Sequence, residues 1–198
     1  MSGLRKDLTT AAVAIVFLTA LLGVAYPLVT TGAAQLAFPD ASDGSKVDVN
    51  GKVVGSKLIG QDFHGLPRYF QSRPSATEYS GDVTFFNNFG PNSRELSDFF
   101  AEQLAAYLKR ERPYDPGLRA ADVPVDAVTT SASGVDPHIS LANARIQARR
   151  VAAVRDLPLA RVLDAVDEHT AGRFLGLFGE AGVNVLELNI DLDQGGAE

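Results

Sequence analysis

Cysteine and tryptophan are absent from this 198-residue chain, and methionine occurs once. Without cysteine there is neither a disulfide framework nor a thiolate metal site, so a hydrophobic core has to hold any folded domain together. Cations are also in the minority: 18 Lys and Arg stand against 24 Asp and Glu, for a formal net charge of -6. Binding a phosphate backbone needs clustered Lys and Arg, so nucleic acid is excluded as a partner. The sequence has no G-x-x-x-x-G-K-S/T loop and no G-x-S-x-G elbow, and His64, His138 and His169 have no H-E-x-x-H spacing. The usual phosphate cradle, the usual hydrolase nucleophile turn and the usual zinc site therefore have no support.

A local absence organises the chain. Between Leu8 and Pro39 there is no Asp, Glu, Lys or Arg, and Thr9 to Val29 consist mainly of Ala, Val, Ile, Leu and Phe. At roughly 1.5 Å per residue, about twenty such residues cross a hydrocarbon core of roughly 30 Å. Cleaved secretory signals have shorter apolar regions, about 7 to 15 residues, and a soluble helix apolar on all sides needs a large core to cover it. Residues 8–30 are therefore read as an uncleaved, single transmembrane helix in the cytoplasmic membrane. Arg5 and Lys6 precede it and Asp40 and Asp43 follow it, so the positive-inside bias puts residues 1–7 in the cytoplasm. Residues 31–44 are then a linker and 45–198 one extracytoplasmic domain. Within the helix, Thr19 and Gly23 form a small-xxx-small pair near Ala12, Val16 and Ala20, a stripe that lets another helix approach closely. Both are candidate partner-interface residues.

The domain is expected to be α+β, a mixed and partly antiparallel sheet with about three helices. Lys46 to Val54 alternate valine with polar residues about Asn50-Gly51, a two-residue hairpin signal. Arg68 to Ser72 read as a short strand halted by Arg73-Pro74, and the loop from Ser75 to Pro91 carries Phe85, Phe86 and Phe89, aromatic enough to be docked on something. Asn92 with Glu95 reads as an N-cap and capping box, opening a helix with Leu96, Phe99, Phe100, Leu104, Tyr107 and Leu108 on one face and Pro113 as its stop. Ser140 reads as the cap of a second helix, Leu141 to about Arg155, and Pro158 as the start of a third that buries Val162, Leu163 and Val166. Leu186, Leu188, Ile190 and Leu192 alternate with Glu187, Asn189 and Asp191, which predicts a closing strand.

Chemistry concentrates in Val125 to Ser140. Asp126, Thr129, Thr130, Ser131, Ser133, Asp136 and His138 place hydroxyls, carboxylates and an imidazole in one span. One reading is a membrane-anchored extracytoplasmic hydrolase using Ser131 or Ser133, His138 and Asp126 or Asp136. Another is a stand-alone ligand-binding or sensor module. The reading preferred here is a structured docking surface for a partner, because the residues are small and hydroxylic and sit just ahead of a helix N-terminus.

The same tract, Pro124-Val-Asp-Ala-Val-Thr-Thr-Ser-Ala-Ser-Gly-Val-Asp-Pro-His-Ile-Ser140, resembles the most recognisable stretch of the C subunit of the Kdp potassium-transporting P-type ATPase. Matches in the same order run through Gly55 to Gln61, Tyr69 to Ala76, Asn88 to Pro91, Gln147 to Arg155 and Val183 to Leu186. The chain departs from the family in the longer, more aromatic run from Gly81 to Asn88, in Leu141 where proline is usual, and in Asp191 where a small apolar residue is usual. The resemblance implies a non-catalytic subunit of a high-affinity potassium uptake pump. Its partners would be a channel-like potassium-translocating subunit and a P-type ATP-hydrolysing subunit, with potassium handled by those partners. It implies a role in assembly and as a catalytic chaperone that raises ATP affinity, with ATP a possible ligand on that ground alone; no catalytic, metal or cofactor-binding residue is assigned. A domain outside the membrane cannot touch cytoplasmic nucleotide, so an effect on ATP affinity would be transmitted through the complex.

Overall fold

A computed structural model describes residues 2–63, 66–81 and 87–195. The chain divides into two units, Met1–Lys46 and Val47–Glu198.

The first unit is a helix that runs unbroken over Gly3–Ala37, 35 residues. It consists of α1 (Ser2–Leu18), a π-helical stretch (Thr19–Ala25) and α2 (Tyr26–Ala37), followed by the single turn α3 (Pro39–Ser42). Helix therefore extends seven residues past the expected boundary at 30, through sequence read as linker. The π stretch has a local cause. Pro27 lacks an amide hydrogen, and in a regular helix its ring would meet the carbonyl four residues back, on Gly23. Widening the turn relieves this, and the Tyr26 N–H bonds to the Leu21 carbonyl five residues back.

The second unit opens within the hairpin β1 (Lys46–Val49) and β2 (Lys52–Ser56). Its two turn residues, Asn50 (φ 55°) and Gly51 (φ 79°), are both left-handed, as a twisted two-residue hairpin requires. The Asp48 carboxylate accepts from the Gly51 amide at 2.7 Å. Next come α4 (Arg94–Glu111), β3 (His138–Ile139), α5 (Leu141–Arg155), α6 (Leu159–Glu168), β4 (Thr170–Ala171), β5 (Gly182–Asn184) and α7 (Val185–Gln194). The strands β3, β5 and β4 form an antiparallel sheet in that order, with His138 opposite Asn184 and Thr170 opposite Val183.

Alanines on one side of α5 let α6 pack closely: Ala144, Ala148, Val151 and Ala152 are buried with Val162, Ala165 and Val166. Phe70, Ile139, Val183, Val185, Leu188 and Leu192 complete this core. A smaller cluster of Tyr107, Leu118 and Ala127 lies beneath α4. Between the two, Arg150 and Glu111 form an ion pair at 3.1 Å with both side chains 1% exposed. The other nitrogens of Arg150 reach the carbonyls of Pro67 and Tyr69 and the Gln147 amide oxygen. Burial pulls the guanidinium pKa below its ordinary value, against the opposing pull of Glu111.

Three expectations are corrected. The helix α4 is capped by Ser93, whose hydroxyl accepts from the Leu96 amide at 3.2 Å, and not by Asn92. A turn closed by the Ser93 amide on the Gly90 carbonyl encloses Asn92 and leaves Ser93 at the helix entrance.

The segment Arg68 to Ser72 is not a strand. Side-chain amides take the place of a neighbouring strand: Asn189 accepts from the Phe70 amide at 2.8 Å and donates to its carbonyl at 3.0 Å, and Gln147 does the same for Gln71 at 2.7 and 3.1 Å.

The closing strand is in fact the helix α7, which brings the longer helices of the domain to four among the described residues. Asn184 ends β5 and caps α7, accepting from the Glu187 amide at 3.1 Å. Val185, Leu188, Asn189 and Leu192 are buried at helical spacing, whereas Ile190 is not. Phe85 and Phe86, on which the docked-loop reading partly rested, lie outside the described residues.

Candidate functional site

The tract from Val125 to Ser140 is folded onto the entrance of α5. Its first turn, Val125–Ala127, is a single 3-10 turn that presents Asp126 to that helix. The Asp126 carboxylate accepts three hydrogen bonds, from the Ser140 amide (2.9 Å), the Ser140 hydroxyl (2.6 Å) and the Asn143 side chain (3.0 Å). Ser140 in turn accepts from the Asn143 amide at 3.1 Å, as the N-cap of α5.

Arg73 gathers the middle of the tract. Its guanidinium donates to Asp136 at 3.0 Å, to the Thr129 hydroxyl at 3.3 Å and to the Thr130 carbonyl at 3.2 Å. The Arg73 carbonyl accepts from the hydroxyl of Tyr79, a phenol whose pKa burial pushes up to about 12.

Two glycines allow the surrounding chain to come this close. A Cβ on Gly60 would lie 2.4 Å from the Asp136 carbonyl oxygen, and one on Gly134, at φ +73°, would lie 2.4 Å from the Thr77 hydroxyl. Sequence reasoning gave Arg73 only a part in halting a strand, and assigned no role to Asn143, Gly60 or Thr77. Arg73 stood in view within Tyr69 to Ala76, but nothing local says that its partner is 63 positions away.

Asp136, His138, Thr129 and Thr130 are thus brought together, and Asp126 with Ser140. Ser131 and Ser133 are not. Ser131 is buried, with its amide on the Pro74 carbonyl, and the Ser133 hydroxyl accepts from the Val135 amide at 3.2 Å. The nearest carboxylate oxygen to His138 Nδ1 is on Asp136 at 3.8 Å, and no serine hydroxyl donates to the imidazole among the described residues. The hydrolase reading fails on this geometry, because a nucleophile and its base must be within hydrogen-bond reach.

A cleft of about 420 Å³ opens over Arg73, Asp136, His138 and Ser140, and its far wall is Ala171 with Glu180 to Gly182. In the first unit, Thr19 and Gly23 keep their adjacency through the π stretch, with the Thr19 methyl 3.7 Å from where a Gly23 Cβ would stand.

Burial alone would raise the Asp136 carboxyl, but donors on His138 and Arg73 outweigh it and hold its pKa below the ordinary 3.8. A depressed folded-state pKa contributes stability above the ordinary value, and that contribution is lost as pH falls through the folded one. Denaturant unfolding of the detergent-solubilised chain at successive pH values below about 4 should therefore show a steeper loss of stability than in Asp136→Asn. Equal slopes would refute the ionised Arg73–Asp136 contact.

Comparison with known proteins covers the apolar N-terminal helix, this tract and the core alike. The family model described as "K+-transporting ATPase, c chain" matches residues 8–194. The chain is 50% identical over 189 residues to the potassium-transporting ATPase KdpC subunit of Sorangium cellulosum, covering 94% of this chain and 96% of the relative. It is 49% identical over 193 residues to that of Polaromonas naphthalenivorans, covering 96% and 95%. Against the same subunit of Koribacter versatilis the identity is 42% over 192 residues, covering 96% and 95%.

Proposed function

We propose, on the premise that this chain belongs to the K+-transporting ATPase c-chain (KdpC) family, that it is a non-catalytic subunit that assembles and stabilises a potassium uptake pump. The observation that carries this reading is the match over residues 8–194, which takes in the membrane helix together with the whole folded domain. The pump partners are a channel-like potassium-translocating subunit and a P-type ATP-hydrolysing subunit. Thr19 and Gly23 form the contact within the bilayer, and the surface built on Asp126, Thr129, Thr130, Asp136 and His138 forms a contact outside it. Small side chains at the first allow backbones to approach, and at the second a preorganised hydrogen-bonded surface keeps its shape on docking.

Residues 1–7 face the cytoplasm and the domain from residue 45 onward lies outside, as the cations before the helix and the acids after it direct. From that side the subunit influences ATP affinity only by shifting the conformation of the complex. Tagged chain purified from potassium-starved cells should bring down a P-type ATPase subunit and a large multi-span protein, and protease added outside spheroplasts should degrade the region after Asp40. Capture of neither subunit would overturn the assignment, and a protected C-terminal domain would overturn the orientation.

A further inference from the structure

Beside the cleft, the chain between β4 and β5 carries an apolar tip with no cover. Phe174 and Phe178 face each other as a two-residue antiparallel bridge. Phe174, Leu175, Leu177 and Phe178 are 71, 74, 77 and 63% exposed. Single exposed apolar residues are ordinary, whereas four large ones gathered at one turn are not. The turn is also preorganised. Phe174 and Phe178 exchange amide-to-carbonyl bonds at 2.8 and 3.0 Å, the Gly176 amide bonds to Arg173 and that of Leu177 to Phe174. At the neck Arg173 pairs with Glu180 at 2.8 Å.

We propose that this tip is an anchor that inserts into an uncharged, apolar socket on another subunit of the pump, an inference that rests on the function proposed above. Three observations favour that occupant. First, segments that bind lipid surfaces use free Lys and Arg beside their apolar residues, whereas the tip's one cation is tied to Glu180 and the chain as a whole carries a net charge of -6. Second, the four side chains present on the order of 500 Å², below the roughly 800 Å² per partner of a stable free-standing interface. The tip is therefore too small to pair two copies of this chain and fits one anchor point within a larger contact. Third, it is continuous with such a contact: Glu180 to Gly182 form the far wall of the Asp136–His138 cleft, and β5 pairs directly with the strand that carries His138. An apolar centre beside a polar, hydrogen-bonded margin is the usual anatomy of a protein interface.

The test uses the full chain with the other pump subunits in native membranes. A photo-reactive phenylalanine analogue at Leu175 should crosslink to another pump subunit. Adducts with lipid alone, with a second copy of this chain alone, or with nothing would overturn the proposal. Leu175→Glu with Leu177→Glu should lower the amount of pump subunit retained by the tagged chain about tenfold or more, the loss expected when interface anchors are removed. Undiminished retention would also overturn it. Both positions are exposed, so circular dichroism of the variant should match the parent; if it does not, the crosslink decides. Should the unmodified chain retain no pump subunit, the proposed function itself fails, which is distinct from a tip that makes no contact in an intact complex.

Discussion

Arg150→Met is expected to destabilise the domain by about 3–5 kcal/mol, the cost of removing one partner from a buried ion pair. The magnitude follows from what the substitution strands. Glu111 is 1% exposed and would keep only Arg110 as a charged partner, at 2.8 Å. The carbonyls of Pro67 and Tyr69 would also lose a donor in the interior. Three separate stretches of chain meet on this one guanidinium, namely the end of α4, the middle of α5 and the segment 67–71. Denaturant unfolding of the purified chain followed by circular dichroism would read the effect. A loss below about 1 kcal/mol, the range of exposed ion pairs, would show that water reaches the pair.

Asn189→Leu should be comparably damaging. The side chains are similar in volume, so little packing is lost, but the Phe70 amide and carbonyl would both be left unpaired in the core. At about 1–3 kcal/mol for each stranded group the expected cost is roughly 2–6 kcal/mol. The same unfolding experiment applies, and Asn189→Asp adds a sharper arm, because a carboxylate could accept from the Phe70 amide but not donate to its carbonyl. If leucine is tolerated without loss, the segment around Phe70 finds its hydrogen bonds elsewhere.

Asn189 also explains why the strand readings at 68–72 and 186–192 failed together. The run from Leu186 to Leu192 satisfies a two-residue period, and Arg68 to Ser72 has the composition of a strand, so each looks like sheet on local grounds. Asn189, which alternation assigns to the solvent face, is 2% exposed. Its burial is intelligible only when α7 lies against segment 67–71 and supplies the pairing that a strand would otherwise have provided. A local signal for the helix was present in Asn184 followed three residues later by Glu187, the N-cap pattern that does operate there.

At the candidate site, the cap on Ser140 and the clustering of polar residues before α5 follow from short-range hydrogen bonding and could be read along the chain. The convergence on Arg73 could not, because it spans 56 to 63 positions and depends on Gly60 and Gly134 permitting close approach.

The amino-acid sequence by itself determined the long apolar N-terminal helix, the Asn50-Gly51 hairpin, the ends of α5 and the family, because apolar length, left-handed turn preference, capping and residue identity are properties of contiguous chain. Only the tertiary structure decided that residues 185–194 are helical, that amide side chains stand in for a strand at 70–71, that Ser131 and Ser133 are held apart from His138, and that the 174–178 turn is left uncovered. Each of these depends on which distant groups meet in the interior, where an unpaired polar group costs more than a local conformational preference can supply.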